Sequence, residues 1–543
     1  MNIDLVLINS ESNKFSWGLG AVHFSEGTTQ SLLSISEVIL KKEVDYFLTW
    51  DAQLGFPDEK KILELIKKPG HIWHAGLQLN MAGHLQAVNY LQPTWMLNRD
   101  PTINEESTSW RLSLRACLFK SSTFEVQPFI SPIFLSLESA ALELGYRLIK
   151  NGAIMRNIPS LLPHPSPDEE KVHLSINDEL TFAKIHYNTF WYYWFIFRYF
   201  LNSSVSKTLL LKSIFKSSAH LPLPCNHKIS HSPTTTTNEM SKEKVSLLIP
   251  TLNRYPYLKV LFNQIRTLNP MPFEIIIIDQ SSKNYLNKEF YQEFSDLPLK
   301  VSFQKEPGQC TSRNFGINQV HGDYILFIDD DDEIKSDLIK LHLSNLKNYQ
   351  LDVSSGIAHE AGQDKIPENF TFIRMSDVFP TNNTMIKKEV LLKSGLFDLA
   401  YNRGSRADSD LGMRIYLTGS KMLLNPSISV FHHHAPSGGL REHKARVITY
   451  ASSRKFLTHR HIPSITEIYK AKRYFTNQQV NEMLWISIFS TFQIKGSILK
   501  RLFKFIISTF FLPYTLFLIR KRKRLATNWL KNKTKIPLLK SSH

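Results

Sequence analysis

Four consecutive aspartates occupy positions 329–332, directly after the apolar residues 324–328. Four carboxylates at the end of a strand repel one another and cannot be buried without partners. A divalent cation with oxygen ligands removes that repulsion, so the run predicts a metal held against a phosphate and, with it, a nucleotide substrate. An acidic turn after a strand has the same appearance, and the aspartates alone leave both interpretations open.

Short apolar segments surround the aspartate run. Residues 244–250 and 273–279 predict two strands separated by a helix, and both are almost wholly apolar. Such strands, alternating with helices, are typical of a mostly parallel sheet covered on both faces. Ligands of these sheets bind beyond the carboxyl ends of the strands. Pro250, Asp279 and Asp329 all fall at such ends.

The chain contains an internal repeat. Residues 45–53 match residues 323–331, and further on residues 140–148 match residues 407–415. Both copies then continue to a glycine, a Pro-Ser pair and a histidine in the same order. Two matched blocks in one order predict that the two halves of the chain share an ancestor.

The first copy lacks the residues that would do chemistry in the second. Gln53 stands where the second copy has Asp331, and Ala141 stands where it has Asp408. The leucine, glycine and arginine of the matched helix are kept. We therefore expect the first copy to be inactive, and it either braces the second copy, helps to bind the molecule that the second copy acts on or is only a packing partner.

Further motifs follow in order. A Ser-Arg-Asn-Phe-Gly segment lies at 312–316, an Arg-Ala-Asp-Ser-Asp-Leu segment at 406–411 and three histidines at 432–434. With the Pro-Thr-Leu-Asn-Arg segment at 250–254 and the Asp-x-Asp motif, this set resembles family 2 of the glycosyltransferases, the inverting enzymes with a GT-A fold. The resemblance covers residues 244–445 and implies an α/β fold with a mostly parallel mixed sheet flanked by helices.

The resemblance implies roles for the residues at matching positions. The donor would be a nucleotide-sugar whose pyrophosphate is neutralised by Mn²⁺ or Mg²⁺. Asp331 would bind the metal together with His432 or, as the second choice, His434. Arg441 follows a glycine-hinged segment and is expected to clamp the pyrophosphate. The other donor-binding residues would be Pro250, Asp279, Arg313, Asp329 and Asp330.

Inversion needs one general base that takes a proton from the acceptor hydroxyl. The resemblance places it at Asp408. The usual Glu-Asp pair of the family is Ala407-Asp408 here, so the glutamate is replaced and the aspartate kept. The alternative is that Asp408 only stabilises a helix N-terminus. Asp410 is expected to be structural.

Local geometry adds two expectations for the aspartate run. Because side chains alternate along a strand, Asp329 and Asp331 should share one face. Asp332 should cap the N-terminus of a helix over residues 333–343 rather than bind the metal. Asp279 should accept from the base or the ribose, and Arg313 should hold the nucleotide or the acidic cluster.

The composition favours anionic partners. The 543 residues carry a formal net charge of +17, with a pI of about 9.5. The surplus is concentrated near the C-terminus without a recognised nucleic-acid-binding motif, so no nucleic-acid partner is expected. The three cysteines are far apart, which fits a reducing, cytoplasmic compartment. The N-terminus predicts a first strand rather than a signal peptide.

Two apolar segments, 190–197 and 505–519, fall short of the ~20 residues of a spanning helix. Basic clusters flank the second, one of them at 520–524. That pattern is typical of a helix lying on an anionic lipid surface, and a buried helix pair with a solvated basic tail is the alternative. We expect the protein to lie on the cytoplasmic face of the membrane.

These features divide the chain into four regions. They are a truncated, inactive GT-A-like domain with an aromatic helix at 1–202, a linker at 203–243, the catalytic domain at 244–445 and a helical basic region at 446–543. The predicted activity is inverting transfer of a sugar from a UDP- or dTDP-sugar to a glycan or lipid-linked acceptor, in cell-surface polysaccharide synthesis. The alternatives are a non-catalytic glycan- or membrane-binding scaffold and a sugar nucleotidyltransferase. The latter normally has a glycine-rich phosphate loop, which 250–254 is not.

Overall fold

The computed structural model describes residues 2–9, 17–42, 44–83, 85–163, 172, 174–202, 204–216, 226–231, 243–362, 365–376, 378–436, 438–439, 462–492, 497–532 and 535–539. The chain divides into two compact units. The first consists of Met1–Tyr90 and Thr94–Pro233, and the second of Leu91–Pro93 and Thr234–His543.

One sheet organises the first unit. Its strands are β1 (Ile3–Ile8), β2 (Val22–Ser25), β3 (Tyr46–Asp51), β4 (Ile72–His74), β5 (Ala116–Lys120) and β6 (Met155–Asn157). The helices are α1 (Thr29–Lys41), α2 (Glu59–Leu65), α3 (Trp95–Asn98), α4 (Leu137–Lys150), α5 (Ile176–His186), α6 (Thr189–Leu201) and α7 (Lys207–Lys216). The strands lie in the order β2-β1-β3-β5-β4-β6. The predicted first strand is confirmed as β1, whose residues are all buried.

A larger mixed sheet organises the second unit. Its strands are β7 (Val245–Thr251), β8 (Glu274–Asp279), β9 (Leu299–Phe303), β10 (Tyr324–Phe327), β11 (Asp332–Glu333), β12 (Val353–Glu360), β13 (Arg374–Met375), β14 (Thr384–Lys387) and β15 (Met422–His432). They lie in the order β11-β15-β12-β14-β10-β7-β8-β9, and β13 pairs with β15.

Helices follow most of these strands. They are α8 (Tyr255–Ile265), α9 (Gln309–Ile317), α10 (Leu338–Asn348), α11 (Val390–Ser394), α12 (Ala407–Leu417), α13 (Ile465–Tyr474), α14 (Asn477–Phe492), α15 (Ile498–Phe510) and α16 (Leu512–Asn532). β10, β7, β8 and β9 are parallel neighbours. All six residues of β8 are buried, as expected of a strand covered on both faces. The predicted α/β class with a mostly parallel mixed sheet is confirmed.

The two sheets share one topology. In the first, β6 and β4 are parallel, β5 is antiparallel to β4 and β3, and β3, β1 and β2 are parallel. In the second, β15 and β12 are parallel, β14 is antiparallel to β12 and β10, and β10, β7 and β8 are parallel. The strands that correspond occur in the same chain order. The repeated sequence blocks fall on β3 and β10 and on α4 and α12.

Helices lie both in the region predicted to be a linker and in the region predicted to be helical and basic. The segment predicted as a linker, 203–243, contains α7, which packs against α5 and buries Leu210. The apolar run around Leu210 gives that helix a face to bury. The described helices of residues 446–543 belong to the same compact unit as the larger sheet.

Candidate active site

The carboxyl ends of three parallel strands form the base of the site. β10, β7 and β8 lie side by side, and Thr251 and Asp279 end β7 and β8 at paired positions. β10 ends at Phe327, so Asp329, Asp330 and Asp331 lie in the segment between β10 and β11. The polar side chains therefore gather at the edge of the sheet where ligands of such folds bind.

Arg254 joins two of the aspartates. Its Nη1 donates to Oδ1 of Asp330 at 2.8 Å and to Oδ1 of Asp331 at 3.0 Å. Oγ1 of Thr251 donates to the other oxygen of Asp330 at 2.8 Å. Burial raises the pKa of Asp330 to about 6, although the charge of Arg254 opposes the shift. One guanidinium thus compensates two buried carboxylates.

Asp329 has a different partner. Nη2 of Arg313, on α9, donates to Oδ1 of Asp329 at 2.7 Å. The prediction that Asp329 and Asp331 share a strand face is wrong. The strand stops at Phe327, and the turn brings the neighbours Asp330 and Asp331 to the same arginine instead.

Asn402 fixes the start of α9, the helix that carries Arg313. Its Oδ1 accepts the backbone N–H groups of Cys310 at 3.0 Å and Thr311 at 3.1 Å. A Cβ added to Gly308 would lie 2.3 Å from Nδ2 of Asn402, so only glycine leaves room for this contact. The side chain of Asn402 replaces the missing hydrogen-bond partners of the first helical turn.

Asp332 contacts a histidine, and the prediction that it caps a helix is wrong. It lies in β11, opposite His432 of β15, whereas α10 begins only at Leu338. Nδ1 of His432 lies 2.9 Å from Oδ1 of Asp332, and Oδ2 accepts the N–H of Asp329 at 2.9 Å. Burial raises the pKa of Asp332 to about 7. Although burial opposes it, the hydrogen bond with Asp332 raises the pKa of His432 to about 9.

The residues predicted to bind a metal lie close together. Oδ1 of Asp331 is 3.8 Å from Nδ1 of His432. Because Nδ1 of His432 is hydrogen-bonded to Asp332, the other ring nitrogen, Nε2, is the one that would coordinate a metal. His432 also forms a group with Glu360 and His434, and one donor atom from each lies within 4.8 Å of the others.

Carboxylate oxygens combined with imidazole nitrogens fit a divalent cation. The structure thus offers two donor sets that share His432. One contains Asp331, the predicted ligand, and the other contains Glu360 and His434, which also contact each other. No motif pointed to Glu360, because it ends β12, far along the chain from the motifs.

Two tyrosines enclose Asp279. Its Oδ2 accepts from the hydroxyl of Tyr255 at 2.6 Å and from that of Tyr291 at 2.9 Å, and its Oδ1 accepts the N–H of Ser281 at 2.8 Å. Burial and the charge of Asp279 raise the pKa of Tyr291 far above its usual range. Asp279 is held in one orientation by these contacts, and a base or ribose would have to use its remaining lone pairs.

Pro250 and Arg441 are the remaining predicted donor-binding residues. Pro250 is partly exposed in β7. Arg441 lies outside the described residues.

Residues 246–401 match the family model described as glycosyl transferase family 2. The chain carries a family 2 glycosyltransferase domain. Pro250, Asp279, Arg313 and the whole aspartate run lie within the matched range, and the mixed sheet has the GT-A architecture that the sequence resemblance implied.

Relatives of known sequence bear names that agree with this family. The chain is 28% identical over 116 residues to the glycosyltransferase GlyA of Streptococcus pneumoniae, covering 21% of this chain and 16% of the relative. It is 37% identical over 91 residues to the uncharacterized glycosyltransferase YwdF of Bacillus subtilis, covering 16% and 33%. It is 24% identical over 193 residues to the poly(ribitol-phosphate) β-N-acetylglucosaminyltransferase TarS of Staphylococcus aureus, covering 33% of each. The chain thus spans a third or less of these relatives.

Solved structures show more distant likeness. A fragment of S. aureus TarS, residues 1–349, aligns with a TM-score of 0.34 at 16% identity over 53% of this chain and 91% of the fragment. The mannosyltransferase PcManGT of Pyrobaculum calidifontis, solved with GDP-Man and Mn²⁺, aligns with a TM-score of 0.36 at 14% identity, covering 55% and 90%.

The residues around the predicted base of the glycosyltransferase lie beyond the matched range. Asp408 is exposed in the first turn of α12. Asp410, two residues on, is fully buried and accepts from the hydroxyls of Tyr401 at 3.2 Å and Tyr474 at 2.8 Å. Nε of Arg414 donates to its other oxygen at 3.0 Å. Asp410 therefore holds its helix in place, while Asp408 faces solvent.

α13 braces the helix that carries Asp408. Nη2 of Arg406 donates to Glu467 at 2.6 Å, and Nζ of Lys470 donates to Oγ of Ser409 at 2.7 Å. Burial lowers the pKa of Lys470, and the neighbouring Arg406 lowers it further. The helix that carries Asp408 is thus held by α13, and both helices lie outside the range that matches the family.

Sequence reasoning missed Arg254, the residue that binds two of the aspartates. It is the last residue of the Pro-Thr-Leu-Asn-Arg segment that contributes to the family resemblance, but nothing in that segment indicated a contact with the aspartates. The two tyrosines beside Asp279 were missed because aromatic residues near a strand end are more often part of a core.

Proposed function

We propose that the chain is a metal-dependent inverting glycosyltransferase that uses a UDP- or dTDP-sugar as donor. One observation carries the proposal. Within the range that matches the family, Asp279 and the aspartate run gather at the carboxyl edge of three parallel strands, and His432 joins them through Asp332. Such an edge, rich in carboxylates, suits the ribose, metal and diphosphate of a nucleotide-sugar.

The residues would divide the work of binding the donor. Asp331 and His432 would hold Mn²⁺ or Mg²⁺, and Glu360 and His434 stand beside them as further donors. When bound, the metal supplies positive charge to the diphosphate leaving group. Arg254 already compensates the buried carboxylates, so the site stays folded before the metal arrives.

Asp408 would act as the general base. Its carboxylate takes the proton from the acceptor hydroxyl as that oxygen bonds to the anomeric carbon of the sugar. The bond from that carbon to the phosphate oxygen breaks in the same step, and the nucleoside diphosphate leaves. A single displacement of this kind inverts the configuration at the anomeric carbon. The exposed position of Asp408 suits access by an acceptor from solvent.

The acceptor would be a glycan or a lipid-linked glycan in the synthesis of a cell-surface polysaccharide. The name of TarS, a poly(ribitol-phosphate) β-N-acetylglucosaminyltransferase, supports a polymeric acceptor for one relative. The chain covers only 33% of that relative, so this part of the proposal rests on the shared domain alone.

A donor screen tests the proposed function. The purified full chain is incubated with UDP-, dTDP- and GDP-sugars and Mn²⁺, and release of the nucleoside diphosphate is followed beside Asp331→Asn and Asp408→Asn. We expect release from a UDP- or dTDP-sugar that both substitutions reduce. Release that survives both substitutions would contradict the site assignment, and release only from a GDP-sugar would contradict the donor.

We also infer that the first unit is an inactive copy of the second. The shared strand order supports this, as do Gln53 and Ala141 at the positions of Asp331 and Asp408. Titration calorimetry with the donor and Mn²⁺ should then give one site per chain, and Asp331→Asn should remove it. A second site that persists in Asp331→Asn would overturn the inference.

A further inference from the structure

Helix α15 turns its apolar side to solvent. Six of its large apolar side chains are between 59% and 81% exposed: Ile498, Leu499, Leu502, Phe503, Ile506 and Phe510. At 3.6 residues per turn these positions fall on one side of the helix. An exposed apolar surface of this extent marks an interaction site in a protein that is otherwise well packed.

The side of α15 opposite the apolar residues contacts the protein at Ser508, whereas Lys500 and Arg501 on that side are exposed. Ser508 is buried, and its Oγ donates to the backbone oxygen of Thr491 in α14 at 3.2 Å. Lys500, Arg501 and Lys504 lie on the same side as Ser508, opposite the apolar residues. A helix on the surface of a water-soluble protein buries its apolar side, whereas α15 leaves that side exposed. The exposed apolar side of α15 therefore needs a cover that the described residues do not supply.

The charged residues around α15 indicate what kind of surface covers its apolar side. Residues 497–532 contain nine lysines and arginines and no acidic residue. Tyr514 and Phe517, at the start of α16, are 48% and 58% exposed and continue the apolar surface. Exposed basic side chains follow within two turns, at Arg520, Lys521 and Arg524. Apolar side chains bordered by unopposed basic ones match an anionic lipid surface, with acyl chains below and phosphates beside them.

We propose that α15 lies in the plane of an anionic lipid bilayer, with its apolar side among the acyl chains and its lysines and arginines at the lipid phosphates. No single helix of the described residues is long and apolar enough to cross a bilayer. α15 and α16 pass that test only together, and they are bent by 58° relative to each other. The distribution of charge favours the in-plane arrangement, because only the 15 uncharged residues 505–519 separate Lys504 from Arg520, fewer than the ~20 that a spanning helix needs.

Vesicle flotation of the full chain tests the proposal without any nucleotide-sugar. The vesicles contain phosphatidylcholine alone or phosphatidylcholine with phosphatidylglycerol. The protein should float with the anionic vesicles, and added salt should weaken its binding. The double variant Leu499→Glu/Ile506→Glu, in the middle of the apolar side, should lower vesicle binding about tenfold or more. Leu392→Glu is the matched control, an exposed leucine of the same unit, and should bind as the unchanged protein does.

The other occupants of this surface give different results. If a second copy of the chain covers it, light scattering will show a dimer that the double variant disrupts, and flotation will fail. If the helix pair spans the bilayer, the protein will resist alkaline carbonate extraction. Either result overturns the proposal, as does equal flotation of the double variant. Melting curves of both variants show whether the fold is intact. Release of the nucleoside diphosphate by the double variant in detergent, measured as in the donor screen, tests the proposed function separately from membrane binding.

Discussion

Arg254 and Asp331 form an ion pair of 3.0 Å at the centre of the candidate site, with the two side chains 12% and 2% exposed. The same Nη1 also contacts Asp330. Removing the guanidinium leaves two buried carboxylates without the arginine that they share. Leaving a buried charge unpaired in this way costs about 3–5 kcal/mol.

Arg254→Ala should therefore lower the free energy of unfolding by about that amount. Arg254→Lys keeps the charge but loses the planar fork, so it should recover only part of the loss. Chemical denaturation measures both variants. Arg266→Ala is the matched control, because it removes an arginine whose ion pair with Asp296 is exposed, and its denaturation midpoint should hardly move. Equal destabilisation by Arg254→Ala and Arg266→Ala would refute the role of Arg254.

Asp332 should matter for metal binding although it is not a predicted ligand. Its hydrogen bond to Nδ1 orients His432, and loss of such a partner weakens metal binding about 10–100-fold. Calorimetry with Mn²⁺ should show that loss in Asp332→Asn and a larger one in His432→Ala. His433→Ala removes a neighbouring histidine bonded to Glu333 and should bind Mn²⁺ normally. Normal Mn²⁺ binding by Asp332→Asn would show that this hydrogen bond is only structural.

Calorimetry with Mn²⁺ also distinguishes the two sets of metal-donor residues that share His432. If Asp331 is a ligand, Asp331→Asn will weaken Mn²⁺ binding and Glu360→Gln will not. We expect this result, since Asp331 belongs to the aspartate run beside the proposed diphosphate position. The opposite pattern would assign the metal to Glu360, His432 and His434.

Glu143 should contribute stability to the first unit that depends on pH. Burial opposes its ionisation, but the ion pair with Arg147 and the hydrogen bond with His186 lower its pKa to about 2. A carboxyl with a depressed pKa stabilises the fold fully above its unfolded value of about 4.5, and this contribution is lost as the pH falls toward 2. Asp410 and Arg414 form the matching pair in the second unit.

Glu143→Gln should destabilise the protein at pH 7 by about 3–5 kcal/mol, because Arg147 stays buried. The difference from the unchanged protein should shrink as the pH is lowered from 4.5 toward 2. Denaturation at several pH values measures it. Glu37→Gln, an exposed glutamate of the same unit, should show no such dependence. A constant difference across this range would contradict the assigned pKa.

Local sequence patterns were enough to predict the strands that build the site. β7 and β8 are short apolar runs, and their ends place Pro250 and Asp279 where the pattern put them. The order of the motifs was enough to predict the family, since each motif lies at a fixed point of the fold.

Contacts between distant residues could not be predicted in the same way. Asp332 and His432 are 100 positions apart, and only the pairing of β11 with β15 makes them neighbours. A local pattern therefore favoured a helix cap for Asp332. Arg254 and Asp330 are 76 positions apart, and nothing near either residue indicates that they meet. The orientation of α15 was also hidden, because an amphipathic sequence does not show which side faces the protein.

The kcat of Asp408→Asn tests most directly whether this residue is the general base. Asp408→Asn keeps the size of the side chain but cannot accept the proton. We predict that kcat for sugar transfer, or for donor hydrolysis where no acceptor is in hand, falls by about 10²–10⁴. The donor binding constant and the melting temperature should stay unchanged, as should all three quantities in Asp337→Asn, an exposed aspartate before α10. Retention of full kcat by Asp408→Asn would contradict the central claim.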